Sequence, residues 1–558
     1  MRCEAAAVAA DVQPRRTGPP TDDAHVVRIA LAVAGSTCPE WVCALASALT
    51  AIPEVDLTVV AAGPNAAARP SVRPAARLWS FYRYVDAILQ RLVCRGSAHP
   101  SASADLRRAG LRVVREVPAD LDVVVNAAGP WATAMLREAA GAPVWWLDHD
   151  GHACWPNVCS GYAETLTGDP VTVCRLLESR PEAPAPSVLR SAFFATHPLF
   201  GAENRVQLLW KSIALVAQKA RELRRSGVVC CEVSDTPARA APAPLATAGV
   251  VWSACVVARH VWRSLLFVTR RLFWREQWCL MIGDHPAAAV GAGRGEAGGR
   301  AWAIRPRHVI VPGADRYWAD PHVVPGGDDR LILVEEYMYA TRRGRIALLR
   351  LGEAGEVAEA RTVLEKDCHL SYPAVFEVGE DLYMVPESSE LGRVEAFRCA
   401  DFPWRWEAAG TLIDGVRAID SSIVEHGGRW WLFATVMDEP WLTPRDTLDV
   451  YYADDPVKGP WVAHLGNPVM CDARLARPAG RPFVLDGRLY RPSQDCSRRY
   501  GYGIRINEVV TLSTTAYRER EVSFIEPVWD QFAAAHSYAL GEHSVVIDAM
   551  RWLRGRKG

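Results

Sequence analysis

Four residues able to exchange protons or bind anions recur at corresponding points of a repeat in the C-terminal half of the chain. They are Asp320, Tyr372, Asp420 and Arg477, spaced roughly 50 residues apart. Each lies in a short polar element (WADP, SYP, IDSS or ARP) that precedes an apolar strand, a Gly or Asp turn and a second, aromatic strand. Because the inner strands of a propeller line its central channel, we expect these four side chains to converge on one small ligand.

Carboxylates from two different repeats suit acid–base chemistry on a shared ligand. Asp320 is the candidate base that deprotonates a hydroxyl group, and Asp420 and Tyr372 would orient the ligand. Hydrolysis of a glycosidic bond needs a second carboxyl group in its protonated form, and Glu387 in VPESS is the candidate for it. The sequence therefore predicts Asp320, Asp420 and Glu387 as catalytic residues.

Arg477 lies among several arginines in the fourth repeat. A guanidinium group pairs with phosphate or carboxylate, so a phosphate-bearing sugar donor is one interpretation. Salt bridges from Arg477 to Asp320, Asp420 or Asp495 inside the channel are the alternative. The predicted substrate-binding residues are Trp318, Tyr372, Arg477, Arg491, Gln494 and Asp495.

The elements that position these residues follow from the patterns around them. From Trp302 onward the sequence is typical of an all-β protein, which predicts a five-bladed β-propeller over residues 302–558. The repeat supplies four blades, and the weaker pattern around 505–550 would supply the fifth.

The N-terminal half alternates short apolar runs with amphipathic stretches from residue 26 to 227, which predicts a parallel sheet covered by helices. The segment 205–225 should be its closing helix. The loop DHDGH, at the end of a predicted strand, makes Asp148, His149 and His152 a second candidate site. Residues 1–25, rich in Ala, Pro and Arg, predict a disordered leader.

Residues 228–301 are predicted to be a linker that contains an amphipathic helix over 250–274. Arg259, His260 and Arg263 interrupt its apolar stretch, and a cation at bilayer depth costs several kcal/mol. The sequence therefore favours a packed helix over a membrane span, while contact with a membrane surface stays open.

Composition narrows the functional classes. The formal net charge is -1, so the whole chain has no electrostatic attraction to nucleic acid or to an anionic membrane, while local charged patches stay open. The 15 cysteines show no spacing typical of a zinc site, which predicts no structural metal. Free thiols and the lack of a secretory pattern indicate the cytoplasm. The residues do not identify a cofactor.

The order WADP, SYP, IDSS resembles the five-bladed glycoside hydrolase superfamily of arabinanases and β-xylosidases (family 43). The resemblance implies that Asp320 is the general base and that Asp420 tunes the general acid. Arg477 stands about where that superfamily has its acidic Glu. This departure argues against plain hydrolysis.

A second, closer resemblance is expected to cover nearly the whole chain. HLSYPAVFEVGEDLYMVPESS, IDSSIVEHGGRWWLFAT and LYRPSQDCSRRYGYGIRINEV are similar to the N-terminal region of plant glucosamine inositolphosphorylceramide transferases and their stand-alone bacterial relatives. This resemblance implies a glycan context and carries over no catalytic residue.

The N-terminal part resembles the formyltransferase fold through DLDVVVNAAGP, APVWWLDHDGH and ETLTGDPVTV. That family uses an Asn, a His two positions later and a downstream Asp. His149 fits the histidine, but Leu147 stands at the Asn position and no downstream Asp is evident. Leucine cannot stabilise an oxyanion, so the familiar formyl transfer is not expected.

Three hypotheses follow. The first is a glycosyl-transferring enzyme that uses a nucleotide-linked or lipid-linked sugar, with the propeller channel as the sugar site. The second is a formyltransferase-type enzyme that binds a formylfolate and uses the propeller as a substrate platform. The third is a carbohydrate-binding protein without catalysis, since a fold shared with enzymes does not establish chemistry.

Overall fold

The computed structural model describes residues 26–35, 37–61, 74–93, 103–106, 111–129, 132–149, 160–229, 231, 250–285, 302, 304–437, 445–529 and 531–555. The expected leader (residues 1–25) and His152 lie outside these described residues.

An αβ domain occupies the N-terminal half. Its main strands are β1 Val27–Val33, β3 Val55–Ala61, β5 Val113–Val114, β6 Val123–Asn126, β7 Val144–His149, β8 Val171–Ser179 and β9 Ser187–Ala195. They form one sheet in the order β5-β3-β1-β6-β7-β8-β9. The first five of these run parallel, and β8 and β9 are antiparallel at one edge. The predicted parallel sheet is therefore confirmed.

Helices cover both faces of this sheet, and a small antiparallel pair, β2 Thr37–Pro39 with β4 Ser103–Asp105, lies apart from it. The helices are α1 Glu40–Thr50, α2 Pro74–Val93, α3 Ala132–Ala140, α4 Tyr162–Thr167 and α5 Gly201–Ser226. α5 contains the predicted closing helix. The apolar run of β1 is buried at six of its seven positions, as expected for a parallel strand covered on both faces.

The C-terminal half is a five-bladed β-propeller, as predicted. Blade one contains β12 Arg316–Val323, β13 Leu331–Met338, β14 Arg343–Leu351 and β15 Val357–Leu364. Blade two contains β16 Ser371–Val378, β17 Asp381–Glu387, β18 Arg393–Asp401 and β19 Arg405–Asp414, with a short 3-10 helix at Ser389–Leu391. Blade three contains β20 Ala418–His426, β21 Arg429–Val436, β22 Asp449–Ala453 and β23 Val462–Ala463. Blade four contains β24 Phe483–Leu485, β25 Arg488–Asp495, β26 Gly503–Leu512 and β27 Tyr517–Ile525.

Blade five joins the two ends of the propeller. Its strands are β28 Phe532–Ala534, β29 Tyr538–Leu540, β30 Ser544–Arg554, β10 Trp274–Asp284 and β11 Pro306–Ile310. β10 pairs with β30 along its full length, from Trp274 opposite Arg554 to Asp284 opposite Ser544. The segment expected to be a linker thus supplies a central strand of this blade, and the closing strand lies before Trp302.

The inner strands of blades one to three share one irregularity. Each contains a β-bulge at its predicted site residue, and Asp320, Tyr372 and Asp420 have positive φ angles of 50°, 45° and 52°. Residues other than glycine rarely adopt this left-handed backbone conformation. A bulge changes the direction in which the side chain of its residue points. The repeat in the sequence is therefore also a repeat in backbone geometry.

The αβ domain contacts the propeller through β9 and α5. Phe193 of β9 exchanges backbone hydrogen bonds with Cys471 and Ala473, at 2.9 and 2.6 Å. Lys211 of α5 forms a buried ion pair with Asp446 at 2.5 Å. The two domains thus meet at a loop within blade three and at the loop that leads into blade four.

α6, Val250–Phe273, precedes β10 and packs against α2 and α4. The expected packed helix is only partly observed, because most of its apolar side chains face solvent. Among the described residues, this is the one helix long and apolar enough to cross a membrane.

Candidate functional site

The four predicted channel residues lie together at one mouth of the channel, where the inner strands begin. Arg477 Nε donates to Asp420 Oδ2 at 2.6 Å, which is the predicted salt-bridge alternative. The Tyr372 hydroxyl lies 2.7 Å from Ser422 Oγ. Burial, together with the nearby charges of Asp420 and Asp320, raises the pKa of Tyr372. The tyrosine is therefore a neutral hydrogen-bonding group.

Asp320 is buried and held by blade five. Ser537 Oγ donates to Asp320 Oδ1 at 2.7 Å, and His536 Nε2 lies 3.4 Å from the same oxygen. Burial raises the pKa of Asp320 to about 6, although His536 acts in the opposite direction. A carboxyl group that titrates near neutrality can accept and return a proton.

His536 and Asp548 form a charged pair behind Asp320. His536 Nδ1 lies 2.7 Å from Asp548 Oδ2, while the backbone N–H groups of His536 and Ser537 donate to Asp548 Oδ1 at 2.8 and 3.0 Å. Burial opposes ionisation of Asp548, but His536 and these hydrogen bonds hold its pKa below the usual range. Burial also disfavours the imidazolium, but Asp548 and Asp320 raise the pKa of His536.

Asp420 supplies the second carboxyl group whose pKa is raised toward neutral pH. Arg477 and Gln494 both donate to its Oδ2 atom, the latter at 2.9 Å. Burial raises the pKa of Asp420 to about 7; Arg477 opposes this shift and a hydrogen bond with Glu387 adds to it. Asp420 and the half-buried Glu387 thus share one hydrogen-bonded carboxyl pair.

Glu335 adds a further buried carboxyl group. The Tyr317 hydroxyl donates to Glu335 Oε1 at 3.3 Å, and His369 Nε2 lies 3.5 Å from the same atom. Burial and the charges of Asp320 and Glu387 raise its pKa well above the usual range. We call Asp320, Glu335, Glu387, Asp420 and Asp548 the acidic cluster.

Aromatic rings and arginines border the mouth. The Tyr500 ring lies 4.9 Å from the guanidinium carbon of Arg477 and 5.8 Å from that of Arg445. Tyr317 stacks on Tyr337 with ring centroids 4.7 Å apart. Flat aromatic faces beside polar groups suit the binding of a sugar ring.

Asp320, His536 and Asp548 are also the described residues that could hold a metal ion, because their ligand atoms lie within 4.8 Å of one another. Carboxylate and imidazole are ordinary ligands for divalent metals.

Three of the predicted substrate-binding residues bond to residues other than those of the acidic cluster. Trp318 Nε1 donates to Glu336 at 3.2 Å, and the Trp318 ring packs with residues of blade five. Arg491 pairs with Glu519 at 2.7 Å, and Asp495 pairs with Arg505 at 2.6 Å. These side chains join strands of one blade or pack against a neighbouring blade.

The candidate site of the αβ domain lies inside that domain. His149 is 2% exposed and its Nε2 atom lies 3.0 Å from Ser212 Oγ of α5. Burial lowers the pKa of His149 to about 3. Asp148 lies 3.5 Å from Arg175 on the neighbouring strand. His149 is thus a neutral interior side chain.

Sequence reasoning missed Glu335, His536, Asp548 and Tyr500. One signal was available for Glu335, which pairs with Ala319, the residue before Asp320, much as Glu387 pairs with Ser371, the residue before Tyr372. The same blade position therefore carries a glutamate twice. His536 and Asp548 belong to blade five, whose sequence lacks the repeat that identified the site residues of the other blades.

A cavity of about 560 Å³ opens at the opposite mouth of the channel, where the inner strands end. His322, Glu377, Arg481 and Trp430 are among its lining residues. The acidic cluster is not part of this cavity.

Solved structures similar to this chain include glycoside hydrolases. A β-xylosidase has a TM-score of 0.30 and 12% identity, covering 38% of this chain and 79% of that chain. A family-117 glycoside hydrolase of Zobellia galactanivorans has a TM-score of 0.29 and 9% identity, covering 50% and 91%.

The sequence comparisons concern the propeller. A family model described as the N-terminal region of glucosamine inositolphosphorylceramide transferase 1 matches residues 311–538. The transferase of that name from Oryza sativa subsp. japonica is 35% identical over 208 residues, 37% of this chain and 28% of the relative. The Arabidopsis thaliana transferase is 34% identical over 211 residues, 37% of this chain and 27% of the relative. The chain thus spans little more than a quarter of these relatives, and its propeller is similar to their N-terminal region.

Proposed function

We propose that this chain transfers a sugar from a nucleotide-linked or lipid-linked donor to an acceptor hydroxyl, and that the acidic cluster is the reaction site. The observation that carries the proposal is the pair Asp320 and Asp420, two buried carboxyl groups at one channel mouth with pKa values raised to about 6 and about 7. Groups that titrate near neutral pH are suited to proton transfer. A cytoplasmic location belongs to the proposal.

Asp320 acts as the general base. The acceptor hydroxyl loses its proton to Asp320 as its oxygen attacks the anomeric carbon of the donor, and the phosphate group departs with the bonding electrons. Ser537 and His536 fix the orientation of the carboxylate. The Asp548 partner keeps His536 cationic, so that the negative charge of Asp320 is balanced before the proton arrives.

An arginine at the channel mouth offsets the negative charge of the donor phosphate. Arg477 is already paired with Asp420, so it holds that carboxylate in place. Arg445 lies 5.8 Å from the Tyr500 ring, and we assign the anionic part of the donor to it, since Arg499 is already paired with Glu276. Tyr500 then stacks on the sugar or the base of the donor.

Hydrolysis is the second candidate, because Glu387 shares a hydrogen bond with Asp420 and is partly exposed at the mouth. Water would then replace the acceptor, and the shared proton would pass to the leaving oxygen. Formyl transfer has less support, since His149 is buried against Ser212.

The test begins with a thermal-shift screen of nucleotide sugars, free sugars and formylfolate. A ligand at 100 times its dissociation constant should stabilise the protein by about 2.7 kcal/mol. Ligands that stabilise the chain are then assayed for transfer to added glycolipid and for release of free sugar.

Asp320→Asn should abolish transfer while ligand stabilisation persists. The matched control is Asp454→Asn, whose side chain is 89% exposed on blade three. Binding without turnover in the unmodified chain would instead support a carbohydrate-binding protein. Stabilisation by formylfolate alone would overturn the proposal in favour of one-carbon chemistry.

A further inference from the structure

α6 turns two of its polar residues, His260 and Arg263, toward the protein, while Arg259, Arg270 and Arg271 are exposed. His260 Nε2 lies 3.0 Å from the Leu199 carbonyl oxygen. Arg263 donates to the carbonyl oxygens of residues 165–167, at 3.0, 2.6 and 3.0 Å, in the last turn of α4. A cation at a helix C-terminus is favourable. His260 and Arg263 therefore anchor α6 to the αβ domain.

The apolar side chains of α6 point away from the protein. Only 6% of the most apolar stretch of this helix is buried. Trp262 and Leu265 are 63% and 56% exposed. α2 packs beside α6 and also exposes large apolar side chains. We call the exposed residues of both helices the apolar face: Phe81, Tyr84, Ile88, Leu89, Val251, Trp252, Val261, Trp262, Leu265, Leu266, Phe267, Val268, Leu272 and Phe273.

Continuous apolar surface of this kind marks an interaction site, and the charge around it indicates the partner. α6 contains four arginines and no acidic residue. The acidic residue of α2, Asp86, accepts hydrogen bonds from the first N–H groups of α5 and is buried. The face is therefore cationic in a chain whose formal net charge is -1.

We propose that the apolar face docks onto an anionic lipid surface, with α6 lying in the plane of the membrane. Aromatic and aliphatic side chains would enter the acyl boundary while arginines contact lipid phosphates. A spanning orientation is disfavoured, because α6 would have to release the bonds of His260 and Arg263. A second copy of the chain is disfavoured, since two cationic faces would repel each other.

The apolar face is linked to the channel mouth through blade five. α6 leads directly into β10 of blade five, and the guanidinium group of Arg270 lies 4.6 Å from the Trp552 ring. Arg499 lies 5.3 Å from the same ring and precedes Tyr500 at the mouth. A membrane at the apolar face would present lipid head groups to the mouth. This last step rests on the proposed sugar transfer, whereas docking itself does not.

Docking is tested by sedimentation of the full chain with phosphatidylcholine vesicles and with equal mixtures of phosphatidylcholine and phosphatidylglycerol, without any sugar donor. The chain should bind the anionic vesicles, and added salt should weaken binding. Trp262→Gln with Leu265→Gln should weaken binding at least about tenfold. Leu465→Gln with Val528→Gln, exposed on the propeller, is the matched control and should bind as the unmodified chain does.

Several results would overturn the proposal. One is equal sedimentation with neutral and anionic vesicles, and another is binding unchanged in the Trp262 and Leu265 variant. Protein released from vesicles only by detergent would indicate a spanning helix. A dimer in analytical ultracentrifugation that the same variant dissociates would assign the face to a second copy. Because no turnover is measured, a failure of the sugar-transfer proposal leaves these results unaffected.

Discussion

Arg477, at the start of blade four, places its Nε atom 2.6 Å from Oδ2 of Asp420 in blade three. Both side chains are buried, and Gln494 donates to the same oxygen. The ion pair joins two blades and fixes one of the two carboxyl groups with a near-neutral pKa at the channel mouth.

Arg477→Gln should therefore destabilise the propeller. It leaves the buried Asp420 without a cation, and breaking a buried pair on one side costs about 3–5 kcal/mol. The pKa of Asp420 should also rise further, because Arg477 lowers it. Chemical denaturation measures the loss. Arg429→Gln, which breaks an exposed pair with Asp454, is the control and should stay within about 0.5 kcal/mol of the unmodified chain. Equal stability of the two variants would contradict the role of the pair.

The pH dependence of transfer should follow Asp320. A base must be ionised, and burial raises the pKa of Asp320 to about 6. The value of kcat/KM should then fall about tenfold for each pH unit below 6 and level off above it. Initial rates between mildly acidic and mildly alkaline pH measure the profile. A rate independent of pH across this window would assign the base to another group.

Much of the propeller could be predicted because its blades repeat locally. A polar element, a strand, a tight turn and an aromatic strand recur within each of four segments, so the pattern identifies the blades one at a time. The closing strand β10 could not be found in this way. It pairs with β30, and its Cys279 contacts Ala549 at a separation of 270 residues. Such a distant pairing leaves no trace in local periodicity.

The candidate site was predicted only in part, for reasons of strand geometry. Gln494 reaches Asp420, whereas Arg491 and Asp495 lie on the same strand and bond elsewhere. Successive residues of a strand point to opposite faces, so proximity in sequence does not imply a shared site. Asp320 and Asp420 were found because each begins a repeat.

His149 should make the αβ domain sensitive to acid. Its pKa is lowered by burial to about 3 in the folded chain, against about 6.5 when unfolded. The unfolded state therefore binds the extra proton between these values, and stability is lost as pH falls below about 6.5, by about 2 kcal/mol at pH 5. His149→Gln should remove this dependence, while His543→Gln, an exposed histidine, should retain it. Thermal unfolding at pH 7 and pH 5 measures both. An unchanged pH dependence in His149→Gln would show that other groups cause the acid sensitivity.

Lys211 and Asp446 should couple the unfolding of the two domains. Their side chains are buried, and the atoms Nζ and Oδ1 lie 2.5 Å apart. Lys211→Met removes the cation paired with the buried Asp446 carboxylate and should cost about 3–5 kcal/mol, whereas Lys211→Met with Asp446→Leu should recover most of that loss. Calorimetry should show the αβ domain and the propeller unfolding at more widely separated temperatures in the single variant. Lys219→Met, in the same helix, is the control, since its partner Glu222 remains partly solvated and the loss should be smaller. If the single and double variants lose equal stability, the interface depends on the backbone contacts of Phe193 and not on this ion pair.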